Sequence, residues 1–177
     1  VENCNRRNTN GIYLSVRFGN VFNSSGSVIQ IFKHQIKKGQ DLTLTDANVT
    51  RFFMSIEEAV KLVIKASVIG KGGEVFVLDM GTPIKILDIA KRMIHLSANT
   101  IKSESNPDGD IGITITGLKQ GEKLHEILSE TPVSKTKHPQ ILLSTENRNA
   151  YDIEKRIKSI MKAVNENDQE SMRKILD

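Results

Sequence analysis

Short apolar runs alternate along this chain with longer stretches whose apolar residues recur at helical spacing. The short runs occupy residues 12–17, 75–78 and 111–116, and residues 28–36 and 86–94 carry apolar positions three or four apart. Strand-like and helix-like segments in alternation are typical of an α/β domain. At 177 residues the chain can bury roughly 70% of its unfolded surface. The sequence therefore predicts one α/β domain over residues 1–177.

Local signals mark where several of these helices begin and end. Ser55 and Glu58 have the spacing of a capping box, and Gly39 stands where a helix C-cap is expected. Extended segments are expected at residues 43–45 and 141–143, and a loop at residues 131–139. Helices are predicted on the following apolar sets: Val28, Ile29, Phe32 and Ile36; Ile56, Ala59, Val60, Val63 and Ile64; Ile86, Leu87, Ala90, Met93 and Ile94; Leu124, Ile127 and Leu128; Ile153, Ile157, Ile160, Met161 and Val164; and residues 172–176.

The composition favours a soluble, cytoplasmic protein. No apolar run approaches the roughly 20 residues that cross a bilayer, so we expect no membrane contact from this segment. The single cysteine, Cys4, cannot form an internal disulfide, and a reducing compartment is the default. The chain begins with Val1, and residues up to Asn10 have the pattern of a helix whose start is absent. We infer a piece of a longer protein.

The net charge of +4 raises the question of nucleic-acid binding. Such binding needs a concentrated basic stripe and usually stacking aromatic residues. Here the basic residues are scattered among 21 acidic ones, and there is no tryptophan. We therefore expect no nucleic-acid partner.

Two segments have the composition of phosphate-binding turns. Residues 17–28 and 116–123 each place small, turn-forming residues and a cation directly before a periodic apolar stretch. Such an arrangement exposes helix N-terminal amides to an anion. The serines at 24, 25 and 27 would serve equally as helix caps. These segments predict a phosphorylated ligand.

Other site chemistry is missing from the sequence. No dinucleotide-binding glycine fingerprint occurs, and no nucleophile or acid–base pair stands out. The four histidines are widely separated, so no metal site is expected. The chain thus has the features of half an enzyme.

Five motifs together resemble the C-terminal part of nucleotide-sugar 4,6-dehydratases. These are extended short-chain dehydrogenase/reductases of polysaccharide biosynthesis, of the UDP-N-acetylglucosamine 4,6-dehydratase group. Five motifs in order are specific where any one would be weak. They are Arg17-Phe18-Gly19-Asn20-Val21, Ser24-Ser25-Gly26-Ser27-Val28-Ile29, Thr50-Arg51-Phe52-Phe53-Met54, Val77-Leu78-Asp79-Met80-Gly81 and Gly121-Glu122-Lys123-Leu124-His125-Glu126.

The resemblance implies the last strands of a Rossmann-type sheet plus a small α/β lobe that binds substrate. It also implies a nicotinamide cofactor, NAD(P)+, held mainly by an N-terminal part that this chain lacks. The family's catalytic tyrosine and lysine stand four residues apart on a helix that would end near Asn8. Tyr151 and Lys155 have that spacing, but they lie in a late segment that matches no part of that helix. We therefore expect no catalytic residues here and no activity from this chain alone.

The resemblance further implies how a UDP-sugar would be bound. The family's roles place Asn20 and Arg51 near the diphosphate and Glu122 near the ribose hydroxyls. The helix that opens at Val28 would lie under the diphosphate, and Thr43 with its neighbours would flank the uracil. The expected substrate-binding residues are Asn20, Ser27, Val28, Thr43, Arg51, Lys119 and Glu122.

Two departures and two alternatives accompany this interpretation. Lys119 and Gln120 replace the family's arginine and proline, so a forked donor becomes a point charge. Asn23 replaces a frequent glycine and tolerates left-handed backbone angles.

A related nucleotide-sugar epimerase or reductase shares the same binding residues, and a non-catalytic sugar-nucleotide-binding module is the second alternative. The longer protein could be a homo-oligomer or carry a membrane anchor.

Overall fold

The computed structural model describes residues 11–145 and 153–176, and their α/β order confirms the predicted fold class. Strands and helices alternate through most of the described chain. The elements are β1 (Ser15–Arg17), β2 (Asn20–Val21), α1 (Val28–Lys37), β3 (Leu42–Leu44), β4 (Thr50–Arg51), β5 (Phe53–Met54), α2 (Ile56–Ile69), β6 (Val75–Leu78), β7 (Ile84–Lys85), α3 (Ile86–Leu96), β8 (Ile113–Ile115), β9 (Val133–Lys135), β10 (Ile141–Ser144), α4 (Ile153–Asn165) and α5 (Gln169–Leu176).

The largest sheet has four strands in the order β1-β6-β10-β9. Strand β1 runs parallel to β6, with Val16 opposite Phe76, and β10 is antiparallel to β6 and β9. Helix α2 packs its small and aliphatic side chains on this sheet. The shared core consists of Met54, Ala59, Leu62, Ala66, Phe76, Leu78 and Ile141.

A second core lies between helices α1 and α3 and the parallel pair β3–β8. In that pair Leu42 is opposite Ile113. Phe53 belongs to this second core and Met54 to the first, because successive side chains of a strand point to opposite faces. The core consists of Phe32, Leu42, Leu44, Val49, Phe53, Ile86, Ala90, Ile94 and Ile111.

Two short strand pairs lie where the two cores meet. Strand β2 pairs with β5, which puts Asn20 opposite Phe53. Strand β4 pairs with β7, which puts Arg51 opposite Ile84. Both polar residues are therefore held by backbone ladders.

The predicted helix ends are confirmed at two places. The Ser55 Oγ accepts a hydrogen bond from the Glu58 N–H at 3.1 Å, as an N-cap does. Gly39 follows α1 with a φ of 63°, and its N–H donates to the Ile36 carbonyl at 2.9 Å. Gly39 tolerates this left-handed angle because it has no Cβ.

The predicted apolar face of α2 is partly wrong. Ala59 is buried as expected, but Val60 and Ile64 are 51% and 60% exposed, while Leu62 and Ala66 are buried. Apolar residues occur almost all round this helix, so their spacing allowed more than one face. The small side chains of Ala59 and Ala66 let the helix approach the sheet closely.

The helix predicted around residues 124–128 is absent, and so is the uninterrupted loop predicted over residues 131–139. Residues 117–130 form no regular element, and strand β9 lies inside the predicted loop. Gly121 has a φ of 84°, and the Leu124 carbonyl accepts from the Thr50 N–H at 3.1 Å. That carbonyl bonds a distant strand instead of a following helical turn. The strand predicted over residues 12–17 is shorter than expected.

Helices α4 and α5 confirm the two C-terminal helices. They pack on each other, and the Arg156 Nε donates to the Ile175 carbonyl at 2.8 Å. Among the helices of residues 11–145 and 153–176, none combines the length and apolar content that a membrane span requires.

We predict that Leu62→Ala lowers the free energy of unfolding by ~2–5 kcal/mol, because it opens a cavity in the first core. Ile64→Ala on the same helix should change it by less than ~1 kcal/mol, because the Ile64 side chain is 60% exposed. Urea unfolding of both variants measures the difference. Equal losses would contradict the observed face of α2.

Candidate functional site

A cleft of about 550 Å³ lies between the N-terminus of α1, strands β3 and β4, and the turn at residues 116–122. Its lining combines charged, polar and apolar side chains. The cleft is lined by Asn20, Gly26, Ser27, Val28, Ile31, Thr43, Leu44, Thr45, Val49, Arg51, Phe53, Ile86, Thr116, Lys119 and Glu122.

Among the described residues, Arg51 is one of the two cations that line the cleft. Its Nη1 donates to the Thr50 carbonyl at 2.8 Å and to the Leu124 carbonyl at 3.2 Å. Its Nη2 lies 3.5 Å from Glu122 Oε1, and the two side chains are 20% and 24% exposed. The guanidinium is thus held in one orientation, because both Nη atoms of its planar fork have oxygen partners.

Glu122 is held by the turn that carries it. Its Oε1 accepts from Thr45 Oγ1 at 2.9 Å, and its Oε2 accepts from the Lys119 N–H at 3.3 Å. The carboxylate therefore links β3, β4 and the 116–122 turn. A ribose hydroxyl would have to share this carboxylate with protein donors.

Asn20 reaches the cleft from β2. Its backbone N–H donates to the Phe52 carbonyl at 2.9 Å, and its side-chain Nδ2 donates to the same oxygen at 3.3 Å. The second contact fixes the amide orientation. Asn20 lines the cleft together with Arg51.

The first turn of α1 forms one wall of the cleft. Ser27 is its N-cap by position, but its side chain makes no cap hydrogen bond. In the described part of the chain, the Ser27 Oγ is buried and has no hydrogen-bond partner. Ser27 and Val28 line the cleft, and the N-terminus of a helix is suited to an anion.

Several apolar side chains also line the cleft. Val49, Phe53 and Ile86 belong to the second core and also line the cleft. Phe22 stacks on Phe53 at a ring-centroid distance of 4.8 Å. Thr43 provides a polar edge, and its Oγ1 accepts from Gln35 Nε2 at 2.9 Å.

All predicted substrate-binding residues line this one cleft: Asn20, Ser27, Val28, Thr43, Arg51, Lys119 and Glu122. The second predicted anion turn is wrong in one respect, because no helix follows it and no helix N-terminal amides are offered there. Two residues with long-range contacts were not among the predicted site residues: Thr45, which donates to Glu122, and Glu126, which accepts from the Phe52 N–H. No local pattern marks either residue, since their partners lie more than 70 positions away.

The described residues show no cluster of side chains that could hold a metal ion. Within residues 11–145 and 153–176, no three His, Cys, Asp or Glu side chains are placed to hold a metal ion. A hydrogen bond from the Thr100 hydroxyl lowers the pKa of Asp110, and one from Ser171 lowers the pKa of Asp168. Both carboxyls lie outside the cleft lining.

Comparison with known proteins settles the family. A profile of the family described as "Polysaccharide biosynthesis protein" matches residues 1–170. The chain belongs to this family. It is 46% identical over 141 residues to the capsular polysaccharide biosynthesis protein CapD of Staphylococcus aureus. These residues are 79% of this chain and 22% of CapD. It is 39% identical over 113 residues to the UDP-glucose 4-epimerase of Rickettsia typhi. These residues are 63% of this chain and 30% of the epimerase.

The X-ray structure of Pen from Bacillus thuringiensis is similar to this fold. The TM-score is 0.64 at 35% sequence identity, over 78% of this chain and 42% of Pen. The fold is part of a Rossmann-type short-chain dehydrogenase/reductase, and the resemblance to polysaccharide biosynthesis proteins is confirmed. The chain spans about a fifth of the length of CapD.

We predict that Arg51 and Glu122 are energetically coupled. A double-mutant cycle with Arg51→Met and Glu122→Gln should give ~1–2 kcal/mol, because the pair is mostly buried and hydrogen-bonded. Lys123 and Glu130, 60% and 78% exposed, form the control pair and should give less than ~0.5 kcal/mol. Thermal unfolding measures both cycles. Coupling no greater than the control would contradict a structural link at the cleft.

Proposed function

We propose that this chain is the substrate-binding part of a nucleotide-sugar 4,6-dehydratase that acts on UDP-N-acetylglucosamine in polysaccharide biosynthesis. The carrying observation is that one cleft unites an oriented guanidinium, a helix N-terminus and apolar side chains. Family membership supports the same conclusion.

The proposed binding mode follows from the charged and polar side chains that line the cleft. The diphosphate lies between Arg51 and the first turn of α1, where a cation and backbone N–H groups would stabilise its charge. Asn20 and Lys119 contribute further donors. The uracil lies beside Thr43, and the ribose hydroxyls contact Glu122.

The proposed reaction would need NAD(P)+ to accept hydride from C4 of the sugar and to donate it at C6 after water has been lost across C5 and C6. This chain has no glycine fingerprint for a dinucleotide, so its residues do not fit that cofactor. We propose that another part of the longer protein holds the cofactor and the catalytic tyrosine and lysine. The role of this chain is to bind and orient the substrate.

A second candidate is the substrate-binding part of a nucleotide-sugar epimerase. The similarity to the Rickettsia typhi UDP-glucose 4-epimerase favours it, because the same cleft residues would grip either substrate. Analysis of the product of the longer protein separates the two: loss of water indicates a dehydratase, and inversion at C4 without loss of water indicates an epimerase.

We predict that the chain binds UDP and UDP-N-acetylglucosamine weakly and does not form a 4-keto-6-deoxy sugar with added NAD(P)+. Arg51→Ala should weaken UDP binding by ~1.5–3 kcal/mol, the range for hydrogen bonds to charged groups. Isothermal titration calorimetry measures the affinity, and Lys123→Ala is the matched control, because this cation is 60% exposed. Turnover by the isolated chain, or unchanged affinity of Arg51→Ala with lowered thermal stability, would contradict the proposal.

Glu122→Gln separates ribose recognition from a purely structural role. If Glu122 accepts the ribose hydroxyls, we expect weaker binding of UDP and nearly unchanged binding of pyrophosphate, which has no ribose. Lys119→Arg should tighten UDP binding, because it restores a forked donor. Equal titration curves for Glu122→Gln, Lys119→Arg and the unaltered chain would remove the 116–122 turn from the binding site.

A further inference from the structure

Glu126 lies behind the cleft rather than in it. It is absent from the cleft lining, and its side chain is half-buried. Its Oε2 accepts a hydrogen bond from the Phe52 N–H at 3.1 Å. Phe52 is the residue between β4 and β5, so a side chain satisfies the amide where the two strands are interrupted.

Gly19 brings the turn between β1 and β2 into the same contact. A Cβ added at Gly19 would lie 2.9 Å from the Phe52 Cβ and 3.0 Å from Glu126 Oε2. Real Cβ atoms do not approach other heavy atoms so closely, so only glycine fits without a shift of its neighbours. Three segments that are distant in sequence therefore meet at the Glu126 carboxylate.

The peptide groups on either side of Phe52 connect this carboxylate to the cleft. The N–H that Glu126 accepts belongs to the peptide between Arg51 and Phe52. The Phe52 carbonyl accepts both the backbone and the side-chain N–H groups of Asn20. Fixing Phe52 thus fixes the backbone of Arg51 and the amide of Asn20.

We propose that Glu126 is a positioning residue that holds Asn20 and Arg51 in the orientation that receives the diphosphate. It acts through Phe52 and does not touch the ligand. A carboxylate that accepts a backbone N–H makes a stronger bond than a neutral acceptor does. This inference rests on the proposed function only for the identity of the ligand.

The test compares three substitutions that differ in reach and charge. Glu126→Ala removes the acceptor, Glu126→Asp keeps the charge but is one methylene shorter, and Glu126→Gln keeps an acceptor oxygen at the original reach. We expect Glu126→Ala and Glu126→Asp to weaken UDP binding about tenfold. Glu126→Gln should keep most of the affinity of the unaltered chain. Glu130→Ala is the control, because that carboxylate is 78% exposed.

A readout that needs no ligand accompanies the titrations. The NMR signals of the Asn20 side-chain amide should shift in Glu126→Ala and Glu126→Asp but stay near their original positions in Glu126→Gln and Glu130→Ala. In an Asn20→Ala background, Glu126→Ala should lose much of its effect on UDP binding, because the two changes break one chain of contacts.

The outcomes separate this inference from the proposed function. Failure of the unaltered chain to bind UDP would overturn the proposed function, and the Asn20 signals would then decide the positioning role alone. Unmoved Asn20 signals, or Glu126→Asp binding like the unaltered chain while Glu126→Gln binds like Glu126→Ala, would overturn the positioning role. If Glu126→Ala does not fold, the comparison of Glu126→Asp with Glu126→Gln still decides.

Discussion

The geometry of the cleft depends on how residues 122–126 lie along the β4–β5 strands. Carboxylates bind at both ends of this segment, since Glu122 faces Arg51 and Glu126 accepts the Phe52 N–H. Between them the Leu124 carbonyl accepts from the Thr50 N–H. Side-chain and backbone bonds together replace the helix that the apolar spacing favoured. The segment therefore closes one side of the cleft and ties it to the strand junction between the two cores.

This arrangement orients the cleft's charged groups before any ligand enters. Arg51 is restrained by two carbonyls and by Glu122, so little side-chain entropy remains to be lost when an anion binds. Such preorganisation raises affinity mainly by lowering the cost of ordering. The same carboxylate offsets the positive charge of a partly buried guanidinium, which would otherwise be costly to desolvate. Glu122 therefore stabilises the cleft by offsetting the Arg51 charge, in addition to its proposed recognition of ribose.

Much of the fold could be predicted from sequence because its signals are local. The capping pair Ser55 and Glu58, the terminal Gly39 and the apolar run at β6 each lie within a few residues of the element they define. The error in the predicted buried face of α2 had a different cause. Apolar side chains surround that helix, and the side buried against the sheet is the one that carries Ala59, Leu62 and Ala66. Periodicity indicates that a helix is amphipathic, but packing decides which of two apolar faces is covered.

The candidate site shows where local reasoning ends. The cleft residues were predicted mainly because the chain resembles a family, and the resemblance carries spatial information that spacing along the chain does not. Thr45 and Glu122 are 77 positions apart, and Phe52 and Glu126 are 74 apart. No periodicity or capping rule links such pairs, so a turn followed by Leu124, Ile127 and Leu128 was interpreted as the start of a helix. The two carboxylates accept from a hydroxyl and a backbone N–H that lie directly next to other strands. These long-range hydrogen bonds outweigh a helix propensity worth only tenths of a kcal/mol per residue. A motif of this kind is therefore better interpreted as a clamp between strands than as a helix N-terminus.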